Sequence, residues 1–127
     1  MQPTHYDLII IGAGPAGLGA SIYASRAGLK VGMIEKDAPG GKMVRTNEIE
    51  NYLGYEKIMG ADLSLSMFNH ATKFGTEYIY GNVLDIKDLG TTKEVVCEDQ
   101  TYTTKAIIIA SGTVERKMNI PGEETYY

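Results

Sequence analysis

The sequence predicts an α/β fold: a parallel sheet built on a βαβ unit, with an antiparallel β-meander beside it. Three observations predict it. Residues 6–11 form an apolar run too short to cross a membrane, and the run breaks at Gly12-Ala13-Gly14-Pro15-Ala16-Gly17 into a helical pattern. A second apolar run, residues 29–34, closes on Glu35 within about thirty residues of the first, the length of a βαβ unit. Beyond residue 76 the chain divides into short strand-like segments separated by turn residues, then returns to a continuous apolar run at 105–110.

Taken in order, residues 6–11 read as the first strand. Residues 15–27 read as a helix of small residues, with Ala16, Ala20, Tyr23, Ala24 and Ala27 at helical spacings. Small side chains let such a helix lie close to a sheet, and Gly28 supplies its stop. Residues 29–34 form the second strand, parallel to the first through a right-handed crossover. Residues 36–55 lack periodicity and contain Pro39-Gly40-Gly41, so they are expected to form a long functional loop. Residues 60–74 read as a second helix with Leu63, Met67, Ala71 and Phe74 on one face, ended by Gly75. Segments 77–80, 83–88, 94–97 and 101–103 are predicted to make the meander. The run at 105–110 is predicted to be a buried parallel strand ended by Ser111-Gly112, with an exit loop after it.

Composition narrows the function. A chain of 127 residues has the length of one domain, and 43% hydrophobic with 22% charged residues describes a globular protein rather than a disordered one. The net charge of −4 and the lack of a basic run point away from nucleic acid, and the glycine and proline interruptions point away from a membrane span. The first residues lack the basic and apolar regions of a signal peptide. A cytoplasmic location is the expectation that follows from this and from a single cysteine. Cys97 has no partner for a dithiol and falls in the expected meander, as a small buried residue rather than a nucleophile. His5 lies near the terminus and His70 flanks the second helix; no cluster has metal-ligand spacing.

The glycine pattern carries the chemistry. Gly12 allows a tight turn, Gly14 lets backbone approach a pyrophosphate, and Gly17 lets helix and strand pack closely. Pro15 sits in a first helical turn that needs no N–H there. A helix N-terminus then points its free N–H groups at phosphate. Glu35, 18 residues after Gly17, has a carboxylate that accepts hydrogen bonds from both ribose hydroxyls of an adenosine and repels a 2′-phosphate. NADP is disfavoured on that ground; NAD and FAD both remain open. So does a surface glutamate beside a turn in an unrelated α/β fold.

The rest of the chain resembles one family. The unit from Gly12 to Glu35, Gly40-Gly41-Lys42-Met43, Glu50-Asn51-Tyr52-Leu53-Gly54, Ala71-Thr72-Lys73-Phe74, Ile107-Ile108-Ile109-Ala110-Ser111-Gly112 and Ile120-Pro121-Gly122-Glu123-Glu124 are similar, in that order, to the low-molecular-weight thioredoxin reductases. The resemblance covers essentially the whole chain. It implies a Rossmann-like FAD-binding domain over residues 1–127, in a family whose members carry electrons from NADPH to FAD, to a Cys-x-x-Cys pair and on to thioredoxin or a similar disulfide acceptor. The protein's part in such chemistry is to orient the cofactor and set its electrostatics.

The resemblance also implies site residues. Gly12, Ala13, Gly14, Pro15, Ala16 and Gly17 would hold the pyrophosphate, with Glu35 and Lys36 at the adenosine end. Gly40, Gly41 and Lys42 would approach the flavin side, with Thr46 and Asn51 nearby. Val83 would meet adenine through its backbone, and Ala110, Ser111 and Gly112 would close over the cofactor. No catalytic residue and no metal ligand is expected. Asn51 has an alternative as a turn-capping asparagine. Lys42 stands where the family usually has glutamine; its cation either favours a reduced, anionic flavin or points to solvent. Ser111 replaces the usual threonine and keeps its hydroxyl.

Members of the family also have an NADPH domain with the cysteine pair and a segment that completes the FAD domain. Neither is recognisable in these residues, so the chain is expected to be the N-terminal portion of the FAD domain and inactive by itself, with apolar sheet surface exposed. Family members tend to be homodimers, which makes a homodimer an expectation as well. The alternatives are part of a dithiol-free enzyme like the ferredoxin–NADP reductases, or a scaffold without cofactor. The segment at 50–54 favours the first reading.

Overall fold

A computed structural model describes residues 5–113. The predicted exit loop beyond Thr113 and the segment at 120–124 lie outside the described residues.

Eight strands and two helices follow one another as β1 (His5–Ile11), α1 (Pro15–Arg26), β2 (Val31–Glu35), a short 3-10 turn (Gly41–Arg45), β3 (Glu48–Ile49), β4 (Ile58–Met59), α2 (Gly60–Lys73), β5 (Glu77–Tyr80), β6 (Val83–Asp88), β7 (Lys93–Cys97) and β8 (Thr101–Ile109). Six strands make one mixed sheet in the order β5-β2-β1-β8-β7-β6. β5, β2, β1 and β8 run parallel; β7 and β6 continue the sheet antiparallel from β8. The α/β class, the βαβ unit and the meander are therefore all present, and the fold is Rossmann-like.

The helix boundaries follow the sequence signals. Pro15 opens α1 behind Gly14, and α1 stops before Gly28, which has φ +86°. Each face of the sheet carries a core. On the helix side, Leu8, Ile10, Val31 and Met33 pack with Leu18 of α1 and Ala71 of α2. On the other side, Ile9 and Ile34 pack with Val95, Cys97 and Tyr102 of the meander. Burying one such aliphatic side chain contributes about 1.5–3 kcal/mol, so β1, apolar on both faces, is the centre of the fold.

Four expectations are corrected. Segment 77–80 is not part of the meander: β5 pairs parallel with β2 at the edge of the sheet, Met33 opposite Tyr78. Segments 101–103 and 105–110 are one strand. β8 pairs antiparallel with β7 in its first half and parallel with β1 along its length; Lys105 does not interrupt it because its side chain stays exposed and pairs with Asp7. Nor is the run at 105–110 buried: Ile109 is 68% exposed, because α1 covers β1 and β2 instead. Finally, residues 36–55 are not a plain loop. They contain the 3-10 turn and β3, which pairs with β4 to make a separate two-stranded sheet.

Candidate functional site

The carboxyl ends of the four parallel strands bring Gly12, Glu35, Gly81 and Ala110 to one edge of the sheet. In open α/β sheets this edge is where ligands bind. The turn after β1 is fixed largely by backbone. Gly12 N–H donates to the Ile34 carbonyl at 2.8 Å, and Ala110 N–H donates to the Ile11 carbonyl at 2.7 Å.

The three glycines of the motif differ in what demands them. Gly12 has φ +106°, and a Cβ there would overlap the Ala110 carbonyl oxygen. A Cβ on Gly17 would overlap the Gly12 carbonyl oxygen, so this glycine seats α1 on the turn. Gly14 is different: its φ is −77°, and a Cβ would find only Gly41 Cα, at an ordinary 3.8 Å. Nothing within the described chain requires glycine there. The position, at the N-cap of α1, opens onto space outside the backbone. That terminus has no side-chain cap and no acidic residue in its first turn, and Leu18 N–H is the first to reach back, to the Gly14 carbonyl at 2.9 Å. The N–H groups of Ala16 and Gly17 therefore have no partner within α1, as at an anion-binding helix start.

Glu35 ends β2 beside this turn. Its Oε1 accepts from Ala13 N–H and its Oε2 from Asp37 N–H, each at 2.9 Å. An ionised carboxylate has about four lone-pair positions, so two remain for further donors. Tyr78 donates to the Asp37 carbonyl at 3.3 Å, and burial, reinforced by the Glu35 charge, pushes its phenol above the usual range. Lys36 joins Tyr80, Gly81, Asn82, Glu98 and Asp99 around a cleft of about 200 Å³ next to Glu35, and Gly81 N–H donates to the Glu35 carbonyl at 3.0 Å. Val83 starts β6 there, half-buried against the meander core.

The second glycine pair closes the other side. Gly40 N–H donates to the Ala13 carbonyl at 2.7 Å, and Gly41 lies against Gly14 and Pro15. Lys42 Nζ donates to Thr113 Oγ1 at 2.9 Å, which links the loop to the end of β8. The side chain is exposed, yet it bridges two walls of the turn rather than extending freely into solvent. Thr46 caps the 3-10 turn through the Lys42 carbonyl, while Asn51 is exposed between β3 and β4. Ala110 abuts Gly12, with Ser111 and Gly112 exposed beyond it.

The structure thus brings residues 12–17, Glu35, Lys36, Gly40, Gly41, Lys42, Val83 and 110–112 to one edge, and leaves Asn51 out on the β3–β4 excursion. Sequence reasoning missed Gly81, Asn82 and Gly60. Gly60 anchors the loop by donating to the Thr46 and Asn47 carbonyls, both at 3.1 Å, and a glycine opening an apolar helix was the available signal. A larger groove of about 460 Å³ lies away from this edge, between α1 and α2, lined by Gly19, Ile22, Tyr23, Arg26, His70 and Phe74. Cys97 is buried, and burial, with Asp99 adding to it, pushes its thiol up, as suits a packing residue. Among the described residues no acidic, histidine or cysteine cluster is arranged to hold a metal, and no helix is long and apolar enough to cross a membrane.

Residues 6–127 match the family described as pyridine nucleotide-disulphide oxidoreductase. The chain is 49% identical over 119 residues to a thioredoxin reductase of Bacillus subtilis, covering 94% of this chain and 38% of that protein. It is 50% identical over 119 residues to one from Listeria monocytogenes, again covering 94% of this chain and 37% of that protein. The crystal structure of Lactococcus lactis thioredoxin reductase superposes with a TM-score of 0.90 at 49% identity, over 95% of this chain and 40% of that one. The chain spans under two fifths of the length of these curated relatives.

Proposed function

The chain belongs to the pyridine nucleotide-disulphide oxidoreductase family, and from that premise we propose that it is the FAD-binding part of a thioredoxin reductase-like flavoprotein. The observation that carries this reading is Gly14: a glycine that no internal contact requires, at an uncapped helix N-terminus, where a pyrophosphate fits. When bound, the flavin supplies the redox chemistry, passing electrons between a nicotinamide donor and a disulfide.

The residues divide the work along the sheet edge. The N–H groups of Ala16 and Gly17 would hold phosphate oxygens. Glu35 keeps the turn in shape through Ala13 and presents its remaining lone pairs to the ribose hydroxyls. Lys36 and Val83 would border the adenine end; Gly40, Gly41, Lys42 and Thr46 would lie along the flavin side, with Asn51 farther out on the β3–β4 excursion, and Ala110, Ser111 and Gly112 would form the opposite wall. The domain proposed is 1–127, a first portion of an FAD domain, with NADPH bound elsewhere in the parent protein. Thioredoxin or a similar disulfide is the electron acceptor, the parent works in the cytoplasm, and two copies associate.

The visible absorption of the purified chain tests the reading. After incubation with FAD and gel filtration, flavin absorption should elute with the protein. A colourless chain that retains no added FAD overturns the proposal.

A further inference from the structure

Lys42 occupies a position that its charge alone makes unfavourable. It directly follows Gly41, whose backbone lies against Gly14 and Pro15 at the start of α1. Its ammonium is held by Thr113, three residues beyond Ala110, whose carbonyl abuts Gly12. The side chain therefore runs from one wall of the glycine turn to the other. The N-terminus of α1 carries a partial positive charge, and a cation beside it is repelled. Among the described residues no carboxylate forms an ion pair with Lys42. The first turn of α1 has no acidic residue, and the ion pairs among the described residues join Lys57 to Glu48, Lys93 to Asp88 and Lys105 to Asp7, leaving Lys42 out. The carboxylate at this edge, Glu35, is engaged with the N–H groups of Ala13 and Asp37. A helix N-terminus and an ammonium sharing one slot are complementary only to an anion.

We propose that Lys42 is a cationic strap across the slot, which takes the pyrophosphate of the dinucleotide as its counter-ion while Thr113 holds it in place. The inference rests on the FAD-binding reading above and adds to it a charge that the family's usual glutamine cannot supply. An ammonium on a phosphate oxygen is a charge-assisted bond, and in an exposed setting it is screened over about 10 Å at 0.1 M salt. The strap should therefore contribute most at low ionic strength.

The test is FAD titration of the 127-residue chain by flavin fluorescence, at low and at high salt, for the parent sequence and for Lys42→Met, Lys42→Arg and Thr113→Val. Lys42→Met should bind FAD about tenfold more weakly at low salt and should lose most of the salt dependence. Lys42→Arg should retain both affinity and salt dependence. Thr113→Val should weaken binding about two- to threefold with the salt dependence kept, since a neutral hydrogen bond is lost and the charge remains. Equal affinity of Lys42→Met and the parent overturns the strap alone, and so does a loss whose salt dependence is unchanged. Failure of the parent chain to bind FAD at either salt concentration overturns the FAD reading and the strap together.

Discussion

The two edges of the parallel sheet balance backbone and side chain differently, with Glu35 on Ala13 N–H and Lys42 on Thr113 as the side-chain ties at the carboxyl edge. At the carboxyl edge the turn after β1 is walled by backbone: Gly12 against Ala110, Gly40 N–H on the Ala13 carbonyl, Gly41 against Gly14. At the amino edge the same strands are fastened by side chains. Tyr6 donates to Glu77 Oε2 at 2.5 Å across to β5, Asp7 accepts from Lys30 N–H at 2.8 Å, and Lys105 Nζ pairs with Asp7 at 3.4 Å. The difference follows from what each edge must leave open. Side chains tie strands together at little cost where nothing else has to come near. Where a ligand must meet N–H groups, side chains would fill the space, and the chain gives the position to glycine instead.

The sharpest break of this comparison is Gly12→Ala. The substitution places a Cβ on the Ala110 carbonyl and forces a non-glycine residue to φ +106°. Strain and overlap together should cost about 3 kcal/mol or more, measured by urea unfolding, and the chain should lose its fold or its cooperativity. An Ala variant as stable as the parent would show that backbone packing does not hold this edge.

The amino edge should yield less. Tyr6→Phe removes the hydroxyl from Glu77 while keeping the ring in the core beside Tyr102, and should cost about 1–2 kcal/mol in the same assay. The pH dependence has a definite sign. Burial, then the Glu77 hydrogen bond and charge, raises the Tyr6 phenol well above the ordinary tyrosine range. Stability supplied by a group raised in the fold is present below the unfolded value and is lost as pH climbs past it. The parent should therefore weaken above about pH 10, the unperturbed tyrosine value, and Tyr6→Phe should flatten that alkaline limb. An unchanged limb would assign the alkaline loss to other groups.

What the sequence made legible divides along the same line. Residues 6–11 and 29–35 were readable as parallel strands because apolar runs and glycine stops are local signals, and Gly12, Gly14, Gly17 and Glu35 were readable because their spacing is itself a local pattern. Pairing was harder. Residues 77–80 have strand character whichever neighbour they join, and only the packing of β5 beside β2 decides. Residues 101–103 and 105–110 read as a meander strand and a separate apolar strand, yet one strand passes through both with two partners of opposite direction. β3 and β4 are two residues each, too short for any alternation, and their sheet exists because Gly60 holds both ends of the excursion together. Lys42 was readable as a cation near the site, but its link to Thr113 spans 71 positions of sequence.

Gly14→Ala should have the smallest effect on stability and for that reason separates the two roles of the carboxyl edge. At φ −77° an alanine adopts this backbone freely, and its methyl meets nothing closer than Gly41 Cα at 3.8 Å. The unfolding free energy should stay within about 0.5 kcal/mol of the parent, as for a surface substitution without a structural partner. FAD affinity should nonetheless fall about tenfold or more, because the methyl stands where the pyrophosphate has to approach the N–H groups of Ala16 and Gly17. Melts and FAD titrations on the same protein read the two quantities independently. Loss of stability with affinity retained would mean that Gly14, like Gly12 and Gly17, serves the fold. Stability retained with affinity lost would mean that two glycines of the motif build the turn and the third keeps it open.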